Sequence, residues 1–217
     1  DTETEEHLMK IAIIGSGNVG SAIARAAART GHSVTVTATD PSHAQKLADD
    51  VGATVASTSA DAVRDAELVV LAVPYGALRE VAREIAPATA GKPVVDVSNP
   101  MRPDYSGLAT GERSAAEELQ DLLPDAHVVK AFNTVFASLQ DSAKVDGTQL
   151  DGLYAGNDAR AKEQVAQLLD EIGYRPIDAG GLYAARALEQ MAYLNISLNG
   201  RNSWPWQSAW KLVGPTG

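Results

Sequence analysis

The stretch from Lys10 to Val36, KIAIIGSGNVGSAIARAAARTGHSVTV, constrains the fold more than any other part of the chain. An apolar β-branched run, Ile11 to Ile14, meets a loop spelled Gly15-Ser16-Gly17-Asn18-Val19-Gly20. An alanine-rich stretch follows from Ser21 to Thr30, then Gly31 and a second β-branched run. This reads as strand, tight glycine turn, helix, glycine stop, strand. In such a unit Gly15 permits the turn, Gly17 lets the backbone approach a pyrophosphate, and Gly20 lets the helix lie close to the sheet. The helix start then offers unpaired N–H groups and a partial positive charge to phosphates. With a strand before and a helix after, GxGxxG predicts a dinucleotide site; the alternative is a glycine turn beside an empty crevice.

Composition narrows the remaining classes. The 217 residues fit one domain or one and a half, and 45% hydrophobic content is enough for a core. The absence of cysteine excludes disulfides and thiolate metal sites, and is compatible with a reducing cytoplasm. No metal site is expected from the scattered histidines. A net charge of −10 disfavours nucleic acid and anionic membranes as partners. No apolar run reaches the ~18–20 residues that span a bilayer. The opening DTETEEHL lacks an apolar core, so residues 1–8 are expected to be a disordered extension or remnant before Met9.

Strand and helix patterns alternate over the first two thirds. SVTVTAT from Ser33 reads as a strand, and Asp40-Pro41 as the cap and first residue of a helix ending near Gly52. Thr54 to Ala56 reads as a short strand and Ser59 to Arg64 as a short helix. LVVLAV from Leu68 is apolar throughout, as a buried central parallel strand should be. A helix over about 77–86, a strand over 92–97, a loop over 101–111, a helix over 114–123 and a sixth strand over 127–132 follow. The expected class is α/β, a Rossmann-type doubly wound parallel sheet spanning residues 9–150. Residues 151–217 are expected to form a small C-terminal α/β cap packed on it. There, short strands or a hairpin-like turn are followed by a helix capped by Asn157-Asp158. A strand from Arg175 to Asp178 and a helix from Leu182 to about Asn199 complete the cap. The last helix has apolar residues at 187, 188, 191, 194 and 198.

In an open parallel sheet, ligands lie beyond the carboxyl ends of the strands where strand order reverses. GSGNVG, AVPYG, VSNPM and FNTVF should meet there. These loops contain amides, hydroxyls and aromatic surface, but no histidine, cysteine or obvious carboxylate pair. Asp96 is expected to make structural hydrogen bonds at a strand end. Among the histidines, His7, His32 and His127 are expected to be solvated or capping. Such a site suits hydride transfer between two bound rings, with the polypeptide supplying distance and orientation. An alcohol dehydrogenase would need a base near the hydroxyl.

The chain resembles the NADP oxidoreductases that use the deazaflavin coenzyme F420. The resemblance spans Met9 to about Asn202 and rests on KIAIIGSGNVGSAIA, VPYG, GERSAAEEL, VVKAFNT, AGNDARAKEQVAQLL and DAGGLYAARALEQM. It implies an enzyme passing a hydride between NADP(H) and F420 or a flavin, with a homodimeric cytoplasmic assembly. It is similar too to the reductase domain of certain membrane ferric reductases, which use a flavin. By this resemblance Ser16, Gly17, Asn18 and Val19 match the phosphate-binding turn. Val73, Pro74 and Tyr75 match the loop beside nicotinamide and adenosine. Asn99, Pro100 and Met101, with Asn133 and Thr134, fall where the family shapes the deazaflavin pocket.

Two departures stand out. The family holds the NADP 2′-phosphate with Ser-Arg and a basic residue four positions on; here Ala38, Thr39 and His43 occupy those places. Asp40, twenty residues beyond Gly20, either caps a helix or binds a ribose hydroxyl as in NAD sites, so NADP is implied by the family and NAD stays open. The tail SWPWQSAWKLVGP holds all three tryptophans, which either pack on the last helix or a partner, or wall the second ring. The rival functions are a small-substrate dehydrogenase such as an imine or β-hydroxyacid reductase, and a non-enzymatic dinucleotide-binding protein.

Overall fold

The computed structural model describes residues 8–214. The chain runs β1 (Lys10–Ile14), α1 (Asn18–Arg29), β2 (Ser33–Thr37), α2 (Pro41–Val51), β3 (Thr54–Val55), α3 (Ser59–Arg64) and β4 (Leu68–Leu71). It continues through α4 (Leu78–Ile85), β5 (Pro93–Asp96), α5 (Ala115–Leu122), β6 (His127–Ala131), α6 (Ala137–Gln140), β7 (Lys144–Val145) and β8 (Thr148–Gln149). It ends with β9 (Asp151–Gly156), α7 (Ala159–Glu171), β10 (Arg175–Asp178) and α8 (Ala185–Asn202). Apart from Leu8, the expected N-terminal extension lies outside the described residues.

Among the described residues, eight strands form one sheet ordered β10-β9-β6-β5-β4-β1-β2-β3. The first six strands give the doubly wound order, and strand order reverses between β1 and β4. All pairings are parallel except β6 with β9, where Lys130 faces Ala155. β9 and β10 therefore continue the sheet beyond β6, across the expected boundary at residue 150. β7 and β8 form a separate two-stranded hairpin.

The central strands β1, β4, β5 and β6 are buried on both faces, which explains their largely apolar runs. Ile11 and Ile13 pack with Ile23, Leu47 and Leu168 on one side. Ala12 and Ile14 pack with Val63, Ile85 and Leu119 on the other. Each fully buried Leu or Ile contributes about 1.5–3 kcal/mol relative to exposure. Helix starts follow the sequence chemistry. The Asp40 carboxylate accepts from Ser42 N, and the Asp158 carboxylate accepts from Ala161 N. Ser114 and Glu117 form a reciprocal capping box at α5.

Three expectations are corrected. β2 ends at Thr37, so Ala38 and Thr39 lie in the turn before α2. His32 is not solvated: it is 5% exposed, accepts from Met9 N at Nδ1, and its Nε2 lies 2.7 Å from Glu171. The inner face of α8 is not the stripe at 187, 191, 194 and 198. Ala185, Leu188, Glu189, Ala192, Asn195 and Asn199 are buried instead, while Leu194 is 48% exposed. The reason is that Glu189, Asn195 and Asn199 find polar partners in the interior, so apolarity alone does not pick the inner face. No helix among the described residues is long and apolar enough to cross a membrane.

Candidate functional site

Gly15 has φ +108°, and a Cβ there would lie 2.2 Å from the Ala72 carbonyl oxygen. Only glycine lets the turn after β1 pass this close to the end of β4. A Cβ on Gly20 would lie 2.0 Å from Gly15 O, so α1 rests directly on the turn. Gly17 differs: a Cβ there meets open space. Gly17 is the N-cap of α1, and no side chain caps that helix start. The ledge formed by Ser16, Gly17, Asn18 and Val19 thus presents backbone N–H groups toward an open approach. These residues fit a pyrophosphate, by the uncapped helix start and by the room left at Gly17.

Val73, Pro74 and Tyr75 follow β4, next to the ledge. The Tyr75 hydroxyl donates to Glu118 Oε2 at 2.7 Å. Burial, reinforced by the Glu118 carboxylate, pushes this phenol up to about 12, so the neutral donor form persists at physiological pH. Thr39 and His43, expected near the 2′-phosphate, are exposed beyond β2. His43 Nδ1 lies 3.7 Å from Asp40 Oδ2. Asp40 serves as the helix cap: its Oδ1 accepts from both Ser42 N and Ser42 Oγ, which holds its carboxyl below the usual carboxylate range.

The loops after β5 and β6 are tied together. Asn99 Nδ2 donates to Asn133 O at 3.0 Å, and Asn133 Nδ2 donates to Asn99 Oδ1 at 3.0 Å. Asn133 Nδ2 also donates to Leu188 O on α8. Pro100 is buried beside Asn99, and Met101 bridges to Leu108. Thr134 is 3% exposed. Phe132 introduces the loop with φ +64°, an unfavourable backbone for a bulky side chain. Gln140 Nε2 donates to both Phe132 O and Val135 O, and Tyr174 OH donates to Gln140 Oε1, which over-determines this conformation. Ser98 Oγ and Asn133 Oδ1 are buried and, among the described residues, have no hydrogen-bond partner. Orphaned polar atoms at the carboxyl ends of β5 and β6 fit a polar ring edge from a second ligand.

Beneath these loops lies a charged cluster that the sequence reading missed. Lys130 Nζ donates to Asp96 Oδ2 at 2.8 Å, Glu189 Oε1 at 2.8 Å and Ser98 O at 2.6 Å. Asp96, Lys130 and Glu189 are each 0% exposed. Asp96 Oδ1 accepts from Ser98 N, the structural role expected of it. Burial pushes the Glu189 carboxyl up, although the Lys130 ammonium opposes it. Burial disfavours the Lys130 charge, yet Asp96 and Glu189 together hold its pKa above the ordinary lysine value. A signal was present: a lysine in VVKAF and an aspartate in VVDV sit inside runs that read as buried strands, and buried charges require partners.

Of the tryptophans, Trp210 packs on the last helix, its Nε1 donating to Met191 O. Trp206 meets Phe136 edge to face at 5.5 Å, beside the loop after β6. Asp151 anchors the tail by accepting from Lys211 Nζ and Leu212 N.

With this geometry in place, the comparisons are specific. The family described as NADP oxidoreductase coenzyme F420-dependent matches residues 10–100. The F420-dependent NADP reductase of Methanothermobacter thermautotrophicus is 34% identical over 90% of this chain and 91% of its own. The metalloreductase STEAP3 of Rattus norvegicus is 30% identical over 86% of this chain, which spans only 37% of that protein. A solved structure of a candidate F420-dependent NADP-reductase from Arthrobacter sp. FB24 superposes with a TM-score of 0.85 at 31% identity, covering 94% of this chain and 100% of its own. This chain belongs to the coenzyme F420-dependent NADP oxidoreductase family.

Proposed function

We propose that this protein transfers a hydride between NADP(H) and a deazaflavin such as F420, or a flavin, without using a side-chain acid or base. The observation that carries the reading is the pair of buried, unpartnered polar atoms, Ser98 Oγ and Asn133 Oδ1, beyond β5 and β6. They support a second ligand position beyond β5 and β6, alongside the dinucleotide ledge. The two bound cofactors supply the redox chemistry, a two-electron hydride exchange between rings. The residues of the chain hold and orient. Backbone N–H groups of Ser16 to Val19 bind the pyrophosphate, beside the turn made possible by Gly15. Val73, Pro74 and Tyr75 line the nicotinamide side, and the Tyr75–Glu118 hydrogen bond fixes the phenol ring. Asn99, Pro100, Met101, Asn133 and Thr134 frame the second ring and exclude water from it. Thr39 and His43 contact the adenosine 2′ position.

Residues 9–150 form the dinucleotide-binding part in this reading, and residues 151–217 cover the second ring through α8 and the tail. Exposed apolar side chains on and before α8, Leu194 at 48% and Tyr183 at 69% exposed, support assembly as a homodimer. The chain works in the cytoplasm, a location consistent with its lack of cysteine, and takes small cofactors but no nucleic acid, consistent with its charge of −10.

The test is NADPH oxidation followed by absorbance with F420, with FMN, and with neither. Oxidation dependent on either ring is expected. No oxidation with both present at saturating concentration would refute the reading.

A further inference from the structure

The buried cluster of Asp96, Lys130 and Glu189 does more than neutralise charge. Lys130 has three ammonium hydrogens, and all three are engaged: with Asp96, with Glu189 and with the Ser98 carbonyl. Asp96 meanwhile receives the Ser98 N–H. Both backbone polar groups of Ser98 are therefore clamped from the sheet side, one residue before Asn99-Pro100-Met101. Glu189 adds a third element. Both its carboxylate oxygens accept from Ala115 N, the first residue of α5, at 2.9 and 3.2 Å. Two carboxylates share one ammonium, and the excess negative charge faces the positive end of α5. The neighbouring residue, Leu188, gives its carbonyl to Asn133 Nδ2. One turn of α8 is thus attached both to the cluster and to the loop after β6.

We propose that Lys130 is the positioning residue for the second-ring pocket: by joining Asp96, Ser98 and Glu189 it locks the Ser98–Met101 loop and α8 in one register, leaving the dinucleotide ledge untouched. The inference rests on the proposed ring-to-ring function for its ligand, but the anchoring itself is testable without any cofactor. The ledge at Ser16–Val19 makes no contact with the cluster in the hydrogen bonds described, so the two cofactors should respond differently.

The experiment compares wild type with Lys130→Met and with the triple variant Asp96→Asn/Lys130→Met/Glu189→Gln. The single change strands two carboxylates in the interior and can prevent folding; the triple change removes all three charges, so a folded protein is obtained for measurement. Melting temperature, amide hydrogen exchange of Ser98, Asn99 and Met101, NADP affinity by protein fluorescence, and affinity for F420 and FMN by titration are measured. The triple variant is expected to fold, to bind NADP within about twofold of wild type, to exchange the Ser98, Asn99 and Met101 amides at least ~10-fold faster, and to lose ~10-fold or more in second-ring affinity, the scale of a misplaced positioning group. A folded triple variant with wild-type exchange and wild-type second-ring affinity would overturn the proposal, as would equal losses for NADP and the second ring. If wild type binds neither F420 nor FMN, the functional reading fails, and the exchange rates alone then decide whether Lys130 anchors the loop.

Discussion

Asn99 and Asn133 hold each other by a reciprocal pair of hydrogen bonds, Nδ2 of Asn99 to the Asn133 carbonyl and Nδ2 of Asn133 to the Asn99 side-chain oxygen, each 3.0 Å. The pair bridges the carboxyl ends of two adjacent parallel strands. It fixes the spacing of two loops that no backbone ladder connects, and it leaves the buried Asn133 Oδ1 without a partner among the described residues.

Replacing either asparagine should therefore act on the second ring and spare the dinucleotide. Asn99→Ala and Asn133→Ala are each expected to raise KM for F420 or flavin several-fold, with KM for NADPH nearly constant. A double-mutant cycle on second-ring affinity should give a coupling of about 1 kcal/mol. Strict additivity would show that the pair does not act as a unit.

The glycines of the turn should separate folding from binding. Gly15→Ala places a Cβ 2.2 Å from Ala72 O at a φ of +108°, and is expected to destabilise the protein by about 2 kcal/mol or more. Gly17→Ala meets open space and should leave the melting temperature unchanged. It is expected to weaken NADP binding by ~10-fold or more, because the methyl group occupies the approach a pyrophosphate needs. An unaltered NADP affinity in Gly17→Ala would place the phosphates elsewhere.

Cofactor choice should turn on the exposed corner beyond β2. Thr39 offers a neutral hydroxyl where a guanidinium would make charge-assisted bonds, each worth roughly 1.5–3 kcal/mol against about 1 for a neutral bond. Thr39→Arg is expected to shift the NADP-to-NAD affinity ratio toward NADP by ~10-fold or more. A ratio that stays put would mean the 2′-phosphate does not reach this corner.

Acid stability should depend on Glu117. The Arg186 guanidinium, helped by the Ser114 N–H and hydroxyl, holds the Glu117 carboxyl at about 2, against an ordinary value of 4.5. A depressed folded-state pKa gives stability that is present above the unfolded value and lost as pH falls toward the folded one. Wild type should therefore lose stability between pH 4.5 and about 2 more steeply than Glu117→Gln, measured by denaturant unfolding at each pH. Parallel curves for the two proteins would show that this ion pair does not contribute.

Local chemistry made much of the architecture readable in advance. Strands such as Leu68–Leu71 are apolar on both faces because helices cover both, and that pattern needs no knowledge of neighbours. Caps at Asp40, Ser114 and Asp158 are short-range hydrogen bonds, so they too are written in adjacent residues. The glycine spacing in the first turn specifies close approaches that only one residue type tolerates.

What lay beyond the sequence were choices settled by partners far along the chain. α8 turns Glu189, Asn195 and Asn199 inward, against the apolar stripe that its spacing suggested. Glu189 meets Lys130 across 59 residues, and Asn199 meets Ser208 of the tail. Likewise, β9 adds antiparallel to β6 and extends the sheet, a pairing set by residues far apart in the chain. The amino-acid order alone determined the strand–turn–helix ledge, the helix caps and the alternating α/β plan, because each is decided within a few residues. Only the tertiary structure decided which face of α8 is buried and which charges share the interior, because a buried ion is tolerated solely where folding delivers its counter-charge.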